Sequence, residues 1–285
     1  MTATILAAAL STLMAIQQQT DTLIAVPGDV RISLTGVSGD VAVSTWDQNR
    51  VRVLAEHGSD DRVNIALDGS ELSISAASSM GLAIVDFELT VPTAASLNIS
   101  APFADVRIIG TRGNVSVETV EGDIHLEGGR GQVQLHAVSG DVMVFETEAS
   151  LEAASVDGDV TITNASGTIQ AETVDGDVSL MNAASESVKA ASVDGDITWD
   201  GDIRDGGRYS FVTHDGDLMV GVQAGANAQV FVASFDADFM SDLDVELEAG
   251  DEDAKRFNFT LGSGSARIEL ESFDGTIRLT RRGSL

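Results

Sequence analysis

The chain has 285 residues, with 45 Asp and Glu against 16 Lys and Arg, a net charge of -29 and no cysteine. Without cysteine there is no disulfide framework, thiol nucleophile, thiolate zinc site or lipidated Cys, and so acidic a surface is repelled by phosphate backbones and anionic headgroups, which argues against nucleic-acid partners. Apolar residues make up 43% of the chain, an ordinary share, so the charge overlies a real core and does not signal disorder.

The first element is an uncharged apolar run from Ile5 to Ile16. It is too short to cross a bilayer, which takes about 20 apolar residues. With Leu13-Met14-Ala15 as a small-residue cleavage site, residues 1–20 read as a signal peptide. No Lys or Arg precedes the run, and a buried N-terminal element or a retained anchor is the rival reading. No second such run exists, so the expectation is an exported protein of the periplasm, cell surface or extracellular space, with no membrane span in the mature chain.

Residues 21–110 form an N-terminal β region, with strand-like runs at Val30–Leu34, Val41–Trp46, Val51–Ala55, Val63–Leu67, Leu72–Ser75 and Ala83–Val91. From 111 to 220 a repeat takes over. The pairs Gly122-Asp123, Gly140-Asp141, Gly158-Asp159, Gly176-Asp177, Gly195-Asp196 and Gly216-Asp217 are spaced 18, 18, 18, 19 and 21 apart. Weaker turn signals fall halfway, at Gly113, Gly131, Ala149, Gly167 and around Ser185-Glu186. The beat is therefore nine residues, paired into units of eighteen. Within each unit apolar residues alternate, as in Val142 and Val144, Val160 and Ile162, Val178 and Leu180, which is the period of a strand with one buried face. A second apolar column precedes each turn at Val120, Val138, Val156, Val174 and Val193. Glycine at the turn permits a positive φ and a sharp bend.

Stacking like residues about 4.8 Å apart seals an apolar column that no single unit can bury. The predicted fold is all-β: a parallel β-solenoid (β-helix-like) with coils of about 18 residues in two nine-residue halves, with irregular β flanks as caps. An antiparallel meander with nine-residue hairpins also repeats at eighteen and is the competing topology. An early copy, Val37-Ser38-Gly39-Asp40-Val41-Ala42-Val43, indicates that the N-terminal flank continues the solenoid. Residues 221–285 hold longer strands (Gln229–Ala233, Asp244–Glu248, Phe257–Leu261, Ala266–Leu270), an exposed loop at Gly250–Lys255 and a last copy, Ser272–Leu279, that closes the chain. Here the longer, more aromatic strands supply a cap for an otherwise open edge.

The reiterated Val-x-Gly-Asp-Val units, the opening Gly36-Val37-Ser38-Gly39-Asp40-Val41 followed by Trp46-Asp47, and the closing Gly275-Thr276-Ile277-Arg278-Leu279 resemble the bacterial putative-adhesin family, a domain of unknown function. The resemblance covers nearly all of the chain beyond the signal segment. It implies export, a β-solenoid or related stacked-sheet fold and a role at the cell envelope. It brings no catalytic residues.

Two acidic columns stand out: Asp123, Asp141, Asp159, Asp177, Asp196 and Asp217 after the glycines, and Asp157, Asp175, Asp194 and Asp215 before them, with Glu121 and Ser139 starting the second. Two charges about 5 Å apart in water repel by roughly 0.9 kcal/mol, which buried Val and Ile outweigh at about 1.5–3 kcal/mol each. Calcium bridging is the functional reading. The doubled glycine of the known calcium-binding repeat is missing, however, and Asp suits turns because its side chain bonds nearby backbone N–H groups.

Catalysis finds no comparable pattern. Carboxylate pairs are abundant and therefore uninformative. Arg107, Arg112, Arg130, Lys189, Arg204 and Arg208 share no column, and His57, His125, His136 and His214 are isolated, with His125 and His136 at outward strand phase and hence solvated. Gly262-Ser263-Gly264-Ser265 reads as a hairpin turn, not a nucleophile elbow. Trp199 replaces the usual Val or Leu at a core position, filling a wider coil or else shaping a sugar groove. Arg281-Arg282 reads as a solvated tail. The expectation is a non-enzymatic envelope structural or adhesin-like protein with no catalytic, cofactor or metal residues, an envelope or surface partner with a glycan among the candidates, and a calcium- or glycan-binding module as alternative. A polysaccharide-acting enzyme stands third.

Overall fold

The computed structural model describes residues 18–79, 81–243, 248–249 and 256–282. The export-signal reading thus lies outside the described residues except for Gln18–Thr20, which open a strand at Gln18–Ala25. The predicted loop at 250–255 and nearly all of the predicted strand at 244–248 lie outside them too.

All described regular structure is β, in twenty-six strands. In the repeat region the chain alternates between two facing sheets, and each strand pairs in parallel with its equivalent one unit away. Val142 sits beside Val160, and Val160 beside Val178; on the other sheet Val133 sits beside Leu151, and Leu151 beside Ile169. Parallel pairing throughout this region rules out the antiparallel meander there. Longer loops at the later units only shift the offset, so that Val178 meets Ile197 and Ile197 meets Leu218.

Alternation then decides burial. Ile124, Leu126, Val142, Val144, Val160, Ile162, Val178 and Leu180 are fully enclosed between the sheets, while the residues between them face outward. The sheet opposite contributes smaller side chains at Ala153, Ala171 and Ala190. Where the units lengthen the core widens. Trp199 is completely buried, with its ring 5.7 Å from Tyr209 and 5.5 Å from Phe211. A Cβ at Gly201 would lie 2.4 Å from the indole, so the residue beside it in the next column must be glycine. Trp199 fills a coil and lines no surface groove; its Nε1 has no hydrogen-bond partner.

The chain order of the coils breaks at both ends. The early copy (strands Arg31–Thr35 and Val41–Trp46) lies between the coils at 71–92 and 96–111. The last copy (Ala266–Asp274 and Thr276–Arg281) does not close the stack but lies between the strands of 208–222 and those of 228–241. Among the described residues antiparallel strands appear only beyond these interposed coils: Arg50–His57 on Val85–Pro92, Gln18–Ala25 on Arg50–His57, Asp61–Asp68 on Glu71–Ser78, Arg256–Leu261 on Ala228–Ser234, and Glu248–Ala249 on Arg256–Leu261. Residues 262–265 therefore make no hairpin, because the strands they join flank Ala228–Ser234 on opposite sides.

Arg282 also departs from its expected place. It is no solvated tail: its Nε donates to Asp200 at 2.8 Å, its Nη1 to Asp202 and its Nη2 to Asn182 at 2.8 Å. Ending the interposed coil beside this carboxylate pair gives the guanidinium fork partners in three directions.

Candidate functional site

The repeated corner Val-Asp-Gly-Asp builds the most regular surface of the molecule. Gly176 has φ +152°, and a Cβ there would lie 2.4 Å from the carbonyl oxygen of Gly158 in the rung below. The corner thus needs glycine for close stacking as well as for its backbone angle. The Gly158 carbonyl receives the hydroxyl of buried Thr173 at 2.9 Å, and Ser155, Ser192 and Thr213 treat the glycines of their neighbouring rungs in the same way.

Each aspartate after the glycine accepts, through Oδ1, the backbone N–H of its counterpart one rung on. Asp123 accepts from Asp141, Asp141 from Asp159, Asp159 from Asp177, Asp177 from Asp196 and Asp196 from Asp217, all at 2.8–2.9 Å. The ladder is therefore held by charge-assisted bonds between rungs, which oppose the carboxylate repulsion. Asp does bond backbone N–H, as turn chemistry predicts, but the donor belongs to the next coil and not to its own turn. The aspartates before the glycines stack in register at Asp157, Asp175, Asp194, Asp215 and Asp274 and face solvent. Among the described residues no group of three or more His, Asp or Glu side chains is placed to hold a metal ion.

The valine column before each turn points outward, not into the core. Val120, Val138, Val156, Val174 and Val193 are 44–47% exposed. Register carries the same phase on to His214 and Phe273, and then to Phe235. Phe273 and Phe235 stack at 4.7 Å with an interplanar angle of 5°, and His214 meets Phe273 edge-on at 4.7 Å. The aromatic end of this ridge was legible in principle, since Phe273-Asp274-Gly275 has the phase of Val-Asp-Gly. A shallow groove runs beside the ridge at either end: about 280 Å³ by Pro102, Glu118, Val120 and Val138, and about 460 Å³ by Val193, His214, Phe235, Phe273, Arg256 and Glu271. A larger hollow of about 690 Å³ lies at the far edge of the same sheet, where Gly131, Ala149 and Gly167 supply little bulk.

The remaining singled-out residues do not converge. His57 is buried, its Nδ1 2.9 Å from the Gly58 carbonyl and its Nε2 3.1 Å from the Thr20 hydroxyl. His125 is outward but not simply solvated: it packs on Phe145 at 5.1 Å, and partial burial, aided by Arg107, pushes its pKa below the ordinary histidine value. His136 faces Glu152 at 3.6 Å. Lys189 pairs with Glu172, Arg130 with Glu148 and Arg204 with Glu186, all at the surface. The midway corners turn on left-handed Glu146, Asn164 and Asn182, three residues before the glycine-like signals read from sequence. Asn182 bonds Asn164 across the rungs; Asn recurring at a spacing of eighteen was the available clue.

Stacked parallel coils with a solvent-facing apolar ridge define an all-β, solenoid-like protein with mostly parallel strands. The model of the family Toastrack DUF4097 matches residues 7–182 and 166–280, and the chain belongs to that family. Among solved structures it is similar to a putative adhesin from Parabacteroides distasonis (13% identity, 93% of this chain and 98% of that one, TM-score 0.44). Similar too are a putative adhesin from Parabacteroides merdae (11%, 92% and 96%, 0.44) and a putative cell adhesion protein from Clostridium sporogenes (5%, 93% and 98%, 0.25). No curated protein matches. Among the described residues no helix is long and apolar enough to cross a membrane.

Proposed function

We propose that this chain is an exported, non-enzymatic β-solenoid serving at the cell envelope as a structural or adhesin-like surface protein. The valine ridge carries the reading. Five β-branched side chains at one phase stand half exposed on a scaffold whose interior buries the same residue types completely, and a contiguous exposed apolar strip marks an interaction face. Residues 111–220 form the regular solenoid of 18-residue coils, each two nine-residue halves; residues 21–110 and 221–285 continue it and cap it, and residues 1–20 are a signal peptide. The antiparallel strands confined to the two ends support the cap assignment, because a solenoid must stop its open sheet edges from templating further strands.

Fractionation and protease treatment of intact cells test the reading. The chain should be recovered with the envelope or medium and be cleaved from outside, and its deletion should reduce adherence or envelope integrity. Recovery with the cytoplasm would refute export, and unchanged adherence and integrity would refute the role.

A further inference from the structure

We propose that the ridge Val120–Val138–Val156–Val174–Val193 is a seat for a basic amphipathic helix of a partner protein. The proposal deepens the surface-protein reading and rests on it only for where the partner is met. The ridge presents one apolar side chain per rung, about 4.8 Å apart, and each is 44–47% exposed. One residue away in sequence runs the solvent-facing column Asp157, Asp175, Asp194, to which no basic side chain among the described residues is paired. The opposite flank is mixed: beside the five valines it carries Glu118, His136, Ala154, Glu172 (paired with Lys189) and Ala191, and Arg256 is the one Lys or Arg among the described residues lining the two grooves. An apolar strip with an acidic margin along one side is complementary to an apolar stripe with a basic margin.

Pitch selects the form of that stripe. In an extended peptide laid along the ridge, same-side residues recur every 6.6 Å or so, and they lose phase with the rungs at once. A helix repeats its apolar face about every 5.4 Å, so over the four intervals between five valines it drifts by only about 2–3 Å, within the reach of flexible Leu or Met side chains. A second copy of this chain would match the pitch fully, but it would bring together two molecules that each carry a charge of -29.

The test uses the purified full chain and a synthetic helix of roughly 18 residues, long enough to hold helical form, with leucine at i, i+3, i+4 and i+7 and lysine elsewhere. A peptide of the same composition in shuffled order is the control. The ordered peptide should bind at least about tenfold more tightly than the shuffled one. The triple variant Val138→Thr, Val156→Thr, Val174→Thr keeps β-branching at exposed sites, and it should weaken binding by about tenfold. Asp157→Asn, Asp175→Asn, Asp194→Asn should weaken it further at low salt and little at about 1 M salt, where charges are screened within about 3 Å. Equal binding of both peptides, or an unchanged threonine variant, overturns the proposal in favour of plain charge attraction. Self-association of the chain that the threonine variant abolishes overturns it in favour of a second copy. None of these results bears on where cells place the chain, so a failure here is separable from failure of the envelope role.

Discussion

Replacing Gly176 with alanine tests how the rungs are held together. The new Cβ would lie 2.4 Å from Gly158 O, 2.8 Å from Gly158 C and 3.1 Å from Asp159 Oδ1. Bringing the shortest contact to 3.0 Å requires the corner to open by 3.0 − 2.4 = 0.6 Å. Five hydrogen bonds cross that gap, from Gly158 N to Asp175 O (3.0 Å), Asp175 N to Val156 O (2.8 Å), Val160 N to Asp177 O (2.9 Å), Asp177 N to Asp159 Oδ1 (2.8 Å) and the Thr173 hydroxyl to Gly158 O (2.9 Å). Stretched by that amount, each passes the length at which an N–H···O or O–H···O bond is useful. Losing two or three bonds at about 1 kcal/mol each, with about 1–3 kcal/mol for a left-handed non-glycine backbone, gives a destabilisation of roughly 3–6 kcal/mol. That is a large part of the 5–15 kcal/mol, or thereabouts, available to a folded domain. Gly69 supplies the control, because it too has a positive φ (+59°) but a Cβ there meets nothing within 4 Å; Gly69→Ala should lose only about 1–2 kcal/mol. Urea unfolding of both variants, followed by circular dichroism, compares them directly. If Gly176→Ala is no less stable than Gly69→Ala, close approach of the rungs is not what reserves the corner for glycine.

Other perturbations read other parts of the structure. Thr173→Val keeps the shape but strips the Gly158 carbonyl of its hydroxyl donor and should cost about 0.5–1.5 kcal/mol in urea unfolding, while Thr173→Ser, the residue used at 155 and 192, should restore most of it. Arg282→Met removes the bonds to Asp200, Asp202 and Asn182; with the guanidinium 29% exposed, a loss of about 1–2 kcal/mol is expected that shrinks as salt rises. Tyr209, the one tyrosine of the chain, has its pKa raised above 10.0 chiefly by burial. Tyrosinate absorbance should therefore titrate later in the folded than in the unfolded protein. The linked stability is present in full below the unfolded pKa and falls away as pH rises through the folded one, a decline that Tyr209→Phe should lack. A folded-state midpoint at or below the unfolded value would contradict the enclosure of this ring.

The solenoid-like stacking of mostly parallel strands was legible because it is a local pattern repeated: alternating Val and Ile with Gly-Asp at a fixed interval can seal its apolar face only by stacking like on like. Trp199 was legible as core for the same reason, by standing at the phase of Val and Leu. The direction of Val156 and its equivalents was not legible, because at a corner the two-residue alternation is interrupted and hydrophobicity alone assigns no side. Nor does composition reveal that the Asp159 carboxylate answers an N–H of the next coil and not one in its own turn.

By itself, then, the amino-acid sequence determined the period, the strand faces, the glycine corners and the acidity, all properties of residues near one another along the chain. Only the tertiary structure decided that the first and last copies slip one coil inward, that Arg282 is clasped by Asp200, Asp202 and Asn182, and that valines form an outer ridge. Those outcomes depend on which separated segments meet. Identical repeats offer almost equal edges to any partner strand, so the choice falls to loop lengths and end contacts that no single repeat encodes.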